Sequence, residues 1–213
     1  MTMIATNIAT VRHRVQLASQ NSGRKDDSVL ILAVSKTKPQ SAIREAAACG
    51  QTHFGENYVQ EFVEKVDALA ALELCWHFIG PLQSNKTRLV AERADWVHTV
   101  DRTKIATRLN DQRPKGMPPL NVCIQVNIDN ETSKAGVGVD EINSLAQEIF
   151  TMKNLTLRGL MAIPSPKASS DQTLASFNKL NVQLEQLQQY FPAHAKQLDT
   201  LSMGMSADLE IAI

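Results

Sequence analysis

Short apolar runs alternate with amphipathic, helix-forming segments seven times along this chain, and that alternation limits the fold more than any other feature. The first run, residues 29–35, is V-L-I-L-A-V-S. It has no polar alternation, so it reads as a strand buried on both faces. Further strands are expected at 52–55, 74–79, 96–99, 120–128, 156–163 and 198–203, with 120–128 the longest. Helices are expected at 40–49, 58–72, 84–94, 101–113, 140–150 and 171–191, and another begins at 207. Apolar positions at spacings of three and four mark them, as with Val59, Phe62, Val63, Val66 and Leu69. Ser84 and Asp101 are expected N-caps. A leading helix carries Ile4, Ile8, Val11 and Val15 on one face and stops at Asn21-Ser-Gly.

Apolar strands alternating with such helices give a parallel sheet with covered faces. No linker rich in Pro, Gly or Ser divides the series, so residues 1–213 read as one domain. Two architectures fit: an open doubly wound sheet and a closed (β/α) barrel. The G-x-G-x-x-G fingerprint and the P-loop are both absent. Seven units is one short of a closed barrel of this type.

Several function classes lose support. Lys plus Arg and Asp plus Glu both count 22, so net charge gives no long-range attraction to nucleic acid or anionic membrane. No apolar run approaches the roughly 20 residues of a membrane-spanning helix. The N-terminal 20 residues lack the apolar core of a secretory signal. Cys49, Cys75 and Cys123 are odd in number and widely spaced, as expected of reduced cytoplasmic thiols.

In parallel α/β folds the working residues sit at the C-terminal ends of the strands. Lys36 ends the first run. At the mouth of an apolar interior, desolvation disfavours its charged form and makes a neutral nucleophile for carbonyls. Position alone also fits a solvated lysine. Lys38, two residues on, is either a source of positive potential or a surface lysine. The run Ser202-Met203-Gly204-Met205-Ser206 is a small-residue turn able to present N–H groups to a phosphate. Ser206 fits a phosphate-side hydroxyl and an N-cap equally well. Cys75 and His77 share a strand face, but a metal would need further ligands and none is apparent at matching spacing. A packed cysteine and a hydrogen-bonded histidine is the favoured reading. The segment 127–134 reads as a polar loop rather than a calcium site. Glu61, Glu64 and Lys65 read as an ordinary solvated helix face.

Longer motifs sharpen this picture. L-A-V-S-K-T-K-P (32–39), H-F-G-E-N-Y-V-Q-E (53–61), W-H-F-I-G-P-L-Q-S-N-K (76–86), G-L-M-A-I-P (159–164) and S-M-G-M-S (202–206) closely resemble the pyridoxal 5'-phosphate (PLP) homeostasis protein family. That family is similar to the barrel domain of alanine racemase. The resemblance implies a TIM-type barrel with PLP at its mouth, held as a Schiff base on Lys36. It places Asn57 near the cofactor, Ser206 on the phosphate side, and Met203 and Gly204 in the adjoining loop. It implies a cytoplasmic role in PLP balance without efficient turnover, with PLP-dependent apoenzymes as candidate recipients. The alternatives are a PLP-dependent racemase, which wants a second acid/base group such as a tyrosine, and a PLP-independent Schiff-base lyase. Only Tyr58 and Tyr190 are available. The family continues into an eighth strand and a glycine-rich phosphate turn. The expectation is therefore a C-terminally truncated chain, weaker in PLP retention, and a monomer for want of a second domain.

Overall fold

The computed structural model describes residues 2–25, 28–131 and 134–213. Its centre is one parallel sheet with strands in chain order, β1 (Ala33–Val34), β2 (His53–Glu56), β3 (Cys75–Phe78), β4 (Trp96–Val100), β5 (Leu120–Gln125), β6 (Leu155–Met161) and β7 (Thr200–Ser202). Each strand is followed by a helix: α2 (Gln40–Ala48), α3 (Val59–Ala68), α4 (Thr87–Ala91), α5 (Thr103–Gln112), α6 (Ile142–Phe150), α7 (Ser170–Tyr190) and α8 (Leu209–Ala212). The leading helix α1 spans Met3–Asn21.

Strictly sequential order rules out the doubly wound alternative, whose strand order reverses at a switch point. The sheet is also curled. His98 on β4 and Ser202 on β7 are hydrogen-bonded at 2.6 Å, although three strand spacings separate them. In a flat sheet those strands would lie about 14 Å apart, beyond the reach of the two side chains. The strands therefore form an open barrel of TIM type, with β1 and β7 at its edges.

Side chains alternate between the barrel interior and the helices. Phe54, Trp76 and Phe78 face outward, Phe54 against Trp76, and Phe62 of α3 is fully buried and edge-on to the Trp76 and Phe78 rings. Val97, Val122, Ile124, Leu157 and Leu160 extend this core around the barrel. Helix α1 ties the helices behind the two edge strands: it packs on α2 and α8, and Arg14 pairs with Glu210 at 2.6 Å.

Some expected elements change. The run 29–35 is a strand only at Ala33–Val34, and it is not buried on both faces: Leu30 is 57% and Val34 46% exposed. Among the described residues it is an edge strand that pairs with β2 alone. The longest strand is β6, seven residues, rather than β5. Ser84 opens a 3-10 turn instead of capping a helix. Asp101 does not cap α5; Arg102 holds the N-cap position and Asp101 pairs with it.

Candidate functional site

The C-terminal ends of β1, β2 and β7 bring the expected residues to one end of the barrel. Val34 pairs with Gly55, so Lys36 and Asn57 each stand two residues beyond a matched pair. The Lys36 side chain is exposed, which removes the burial on which the sequence argument leaned. Its backbone is nonetheless tightly held. Lys38 N–H donates to Ser35 O at 3.0 Å, and Thr37, at φ 64°, donates its N–H to Glu61 Oε2 at 2.8 Å.

Beneath this turn lies a charged cluster that the sequence reading missed. Lys65, read as a solvated lysine, is 6% exposed. Its ammonium donates to Ser35 O and Glu56 Oε1, both at 2.8 Å, and to Glu61 Oε2 at 2.9 Å. Ser35 Oγ donates to Glu56 Oε1 at 2.6 Å. Burial pulls the Lys65 pKa down, but the hydrogen bonds to Glu56 and Glu61 outweigh it and leave the value above that of an ordinary lysine. Glu61 is held below the usual carboxylate range by Lys65 and the Thr37 N–H. The apolar spacing of α3 gives no hint of this. The buried partner, Glu56, sits on the outward face of β2 beside Phe54, a parity the sequence does carry.

Polar groups at this end of the barrel lack protein partners among the described residues. Asn57 Oδ1 is buried with no hydrogen-bond partner among the described residues. Gly80 runs so close to Asn57 that a Cβ there would lie 1.9 Å from its carbonyl oxygen. After β7, Met203 and Gly204 are half-buried and Ser206 is exposed. Gly204 has φ 83°, and neither its N–H nor that of Ser206 is paired among the described residues. Ser206 is not the N-cap of α8; Asp208 is, and Ser206 O accepts from Arg14 at 3.2 Å. An unpaired acceptor and a turn with free N–H groups fit a phosphorylated ligand with its own donors.

Lys38 is exposed. Tyr58 and Tyr190 are 56% and 64% exposed, at or beside helix ends. In the 127–134 loop, Lys134 pairs with Glu131 and Asp129; Thr132 and Ser133 lie outside the described residues.

The barrel interior holds a second cluster. His53, His77 and His98 form a hydrogen-bonded row, with His53 Nδ1 2.9 Å from His77 Nε2 and His77 Nδ1 2.8 Å from His98 Nε2. His98 Nδ1 reaches Ser202, and Cys75 Sγ lies 3.4 Å from His77 Nε2. Burial lowers all three imidazole pKa values, that of His77 to about 2 and that of His98 to about 4. Burial pushes the Cys75 thiol up to about 12. The sequence reading named Cys75 and His77 but not His53 or His98. Their signal is inward parity on three successive strands, visible only once strand register is known.

The fold and mouth define an open parallel (β/α) barrel with a lysine two residues past its first strand. The family model for the alanine racemase N-terminal domain matches residues 6–212. The PLP homeostasis protein of Pseudomonas aeruginosa is 54% identical over 213 residues, spanning 100% of this chain and 90% of that protein. Its counterpart in Escherichia coli K12 is 50% identical over 216 residues, spanning 100% of this chain and 91% of that protein. The structure of PipY from Synechococcus elongatus with PLP bound is 37% identical, with a TM-score of 0.78, over 95% of this chain and 92% of PipY. The chain belongs to the family of the alanine racemase N-terminal domain, within its PLP homeostasis protein branch.

Proposed function

We propose that this protein binds PLP at the C-terminal mouth of its barrel, carries it as a Schiff base on Lys36, and acts in intracellular PLP homeostasis. Relatives at 50% identity or more along the whole chain carry that name, and the 37% identical PipY has been solved with PLP bound. The observation that supports the residue assignment is the register, in which Lys36 and Asn57 each stand two residues past the Val34–Gly55 pair.

When bound, PLP supplies an aldehyde that condenses with an amine and releases water, and a phosphate that needs hydrogen-bond donors. Lys36 provides the amine on a turn fixed by Glu61 and Ser35. Asn57 supplies a buried acceptor that has no partner among the described residues. Met203, Gly204 and Ser206 form the phosphate side, with Gly204 turning the backbone and the Ser206 hydroxyl adding a donor. Within this reading the protein is a cytoplasmic monomer, and PLP-dependent apoenzymes are the recipients.

The test is direct. Purified protein is mixed with PLP, freed of excess, scanned for the imine absorbance band, reduced with borohydride and digested. The label should map to Lys36 and vanish in Lys36→Ala. A label on Lys38, or a spectrum identical in Lys36→Ala, overturns the assignment.

A further inference from the structure

We propose that the barrel interior carries a transition-metal site formed by His53, Cys75 and His77, suited to Zn2+ and similar borderline-soft ions. The site lies away from the Lys36 mouth, toward the N-terminal ends of the strands, and does not depend on the PLP reading.

The strand register builds it. His53 on β2 pairs with Cys75 on β3, and His77 is the next inward residue of β3. Two imidazoles and a thiol therefore converge from neighbouring strands. His77 Nε2 stands 2.9 Å from His53 Nδ1 and 3.4 Å from Cys75 Sγ, and ligand atoms of all three residues lie within 4.8 Å of one another. Zn–N bonds of about 2.0–2.1 Å and a Zn–S bond of about 2.3 Å separate tetrahedral ligand atoms by about 3.3–3.6 Å. The Cys75–His77 spacing already matches, and the His53–His77 spacing needs to open by only a few tenths of an ångström.

The surroundings suit a metal ion. A ligating histidine uses one ring nitrogen for the metal and donates the other N–H to an outer partner. With His77 Nε2 on the metal, its Nδ1–H points at His98 Nε2, 2.8 Å away, and His98 Nδ1–H then points at Ser202 Oγ. An ion would thus fix the direction of the whole row. The row ends at Ser202, directly before Met203 and Gly204. Asp95 adds negative charge that acts on both His53 and Cys75. Of the three ligands, His53 lines a cavity of about 360 Å³ together with Arg12, Val29, Ile31 and Gln51. With three protein ligands, the fourth coordination position falls to water or a small ligand. Binding replaces the Cys75 S–H bond by a metal–thiolate bond and releases one proton to solvent.

The experiment uses untagged protein stripped with EDTA and titrated first with Co2+, then with Zn2+. Uptake of one ion per chain is expected, with a thiolate-to-cobalt charge-transfer band that Zn2+ abolishes. Cys75→Ser should lose the band, and His53→Ala should weaken Zn2+ binding by at least about tenfold, the loss seen even for outer-shell partners. Cys49→Ser should change neither. The wild-type titration requires no variant to fold: absence of stoichiometric uptake or of the band overturns the proposal. Undiminished binding in folded Cys75→Ser and His53→Ala proteins overturns it equally.

Discussion

The Lys65 ammonium stands 2.8 Å from both Glu56 Oε1 and the carbonyl oxygen of Ser35, the residue directly before Lys36. A buried cation thus ties the end of β1 to the end of β2 from behind. Removing one partner of a buried pair strands the other charge, at a cost of about 3–5 kcal/mol. Lys65→Met should therefore lower the urea unfolding midpoint strongly, and Glu56→Gln by less, because Glu61 at 2.9 Å still pairs with the Lys65 ammonium. The double variant should lose less than the sum of the two, because neither charge is left alone. Additive losses would show that the pair is not energetically coupled.

Gly80 makes a different prediction about the same end of the barrel. A Cβ there would meet Asn57 O at 1.9 Å and Asn57 Cα at 2.7 Å, and both are backbone atoms that cannot swing aside. Gly80→Ala should cost about 1–3 kcal/mol, the usual range for overpacking. It should also reduce PLP retention severalfold by moving Asn57. Gly55→Ala is the contrast, since its Cβ would meet only the side chains of Ile79 and Leu32 at 3.2–3.3 Å. It should be milder in urea unfolding and in PLP absorbance alike.

Phe62 tests the outer core. It is fully buried and edge-on to Trp76 and Phe78, at ring separations of 6.4 and 5.7 Å. Phe62→Ala should destabilise by about 3–5 kcal/mol, and Phe62→Leu by much less because it leaves a smaller cavity. Denaturant titration separates the two outcomes.

Much of this architecture is legible in the residues. Seven apolar runs alternating with amphipathic helices forecast seven parallel strands but left a doubly wound sheet and a barrel both open, and Lys36, Asn57 and the 202–206 turn fall at strand ends as expected. What failed depends on pairing that a local pattern does not encode. An apolar run such as 29–35 resembles a central strand until its neighbours are counted, and at an edge it exposes Val34. Lys65 looked solvated because its partner, Glu56, lies nine residues away on another element. His53, His77 and His98 converge through register and curl, each fixed by contacts distant in the chain.

The joint between α1 and α8 should respond to acid. Arg14 and Glu210 hold each other at 2.6 Å, and the hydrogen bond from Arg14 brings the Glu210 pKa down to about 2 from an ordinary 4.5. A carboxylate whose folded-state value is depressed contributes stability above its unfolded value, and loses it as pH falls through the folded one. The contribution should be complete at neutral pH, begin to fade below about 4.5 and be gone by about 2. Both side chains are substantially exposed, 35% and 49%, so the effect should be small and sensitive to salt. At 1 M salt the screening length falls to about 3 Å. Thermal melts of wild type and Glu210→Gln should differ modestly at pH 7 in low salt. They should converge in 1 M NaCl and again at about pH 2. A gap that persists under both conditions would mean that Glu210 holds α8 by packing rather than by charge.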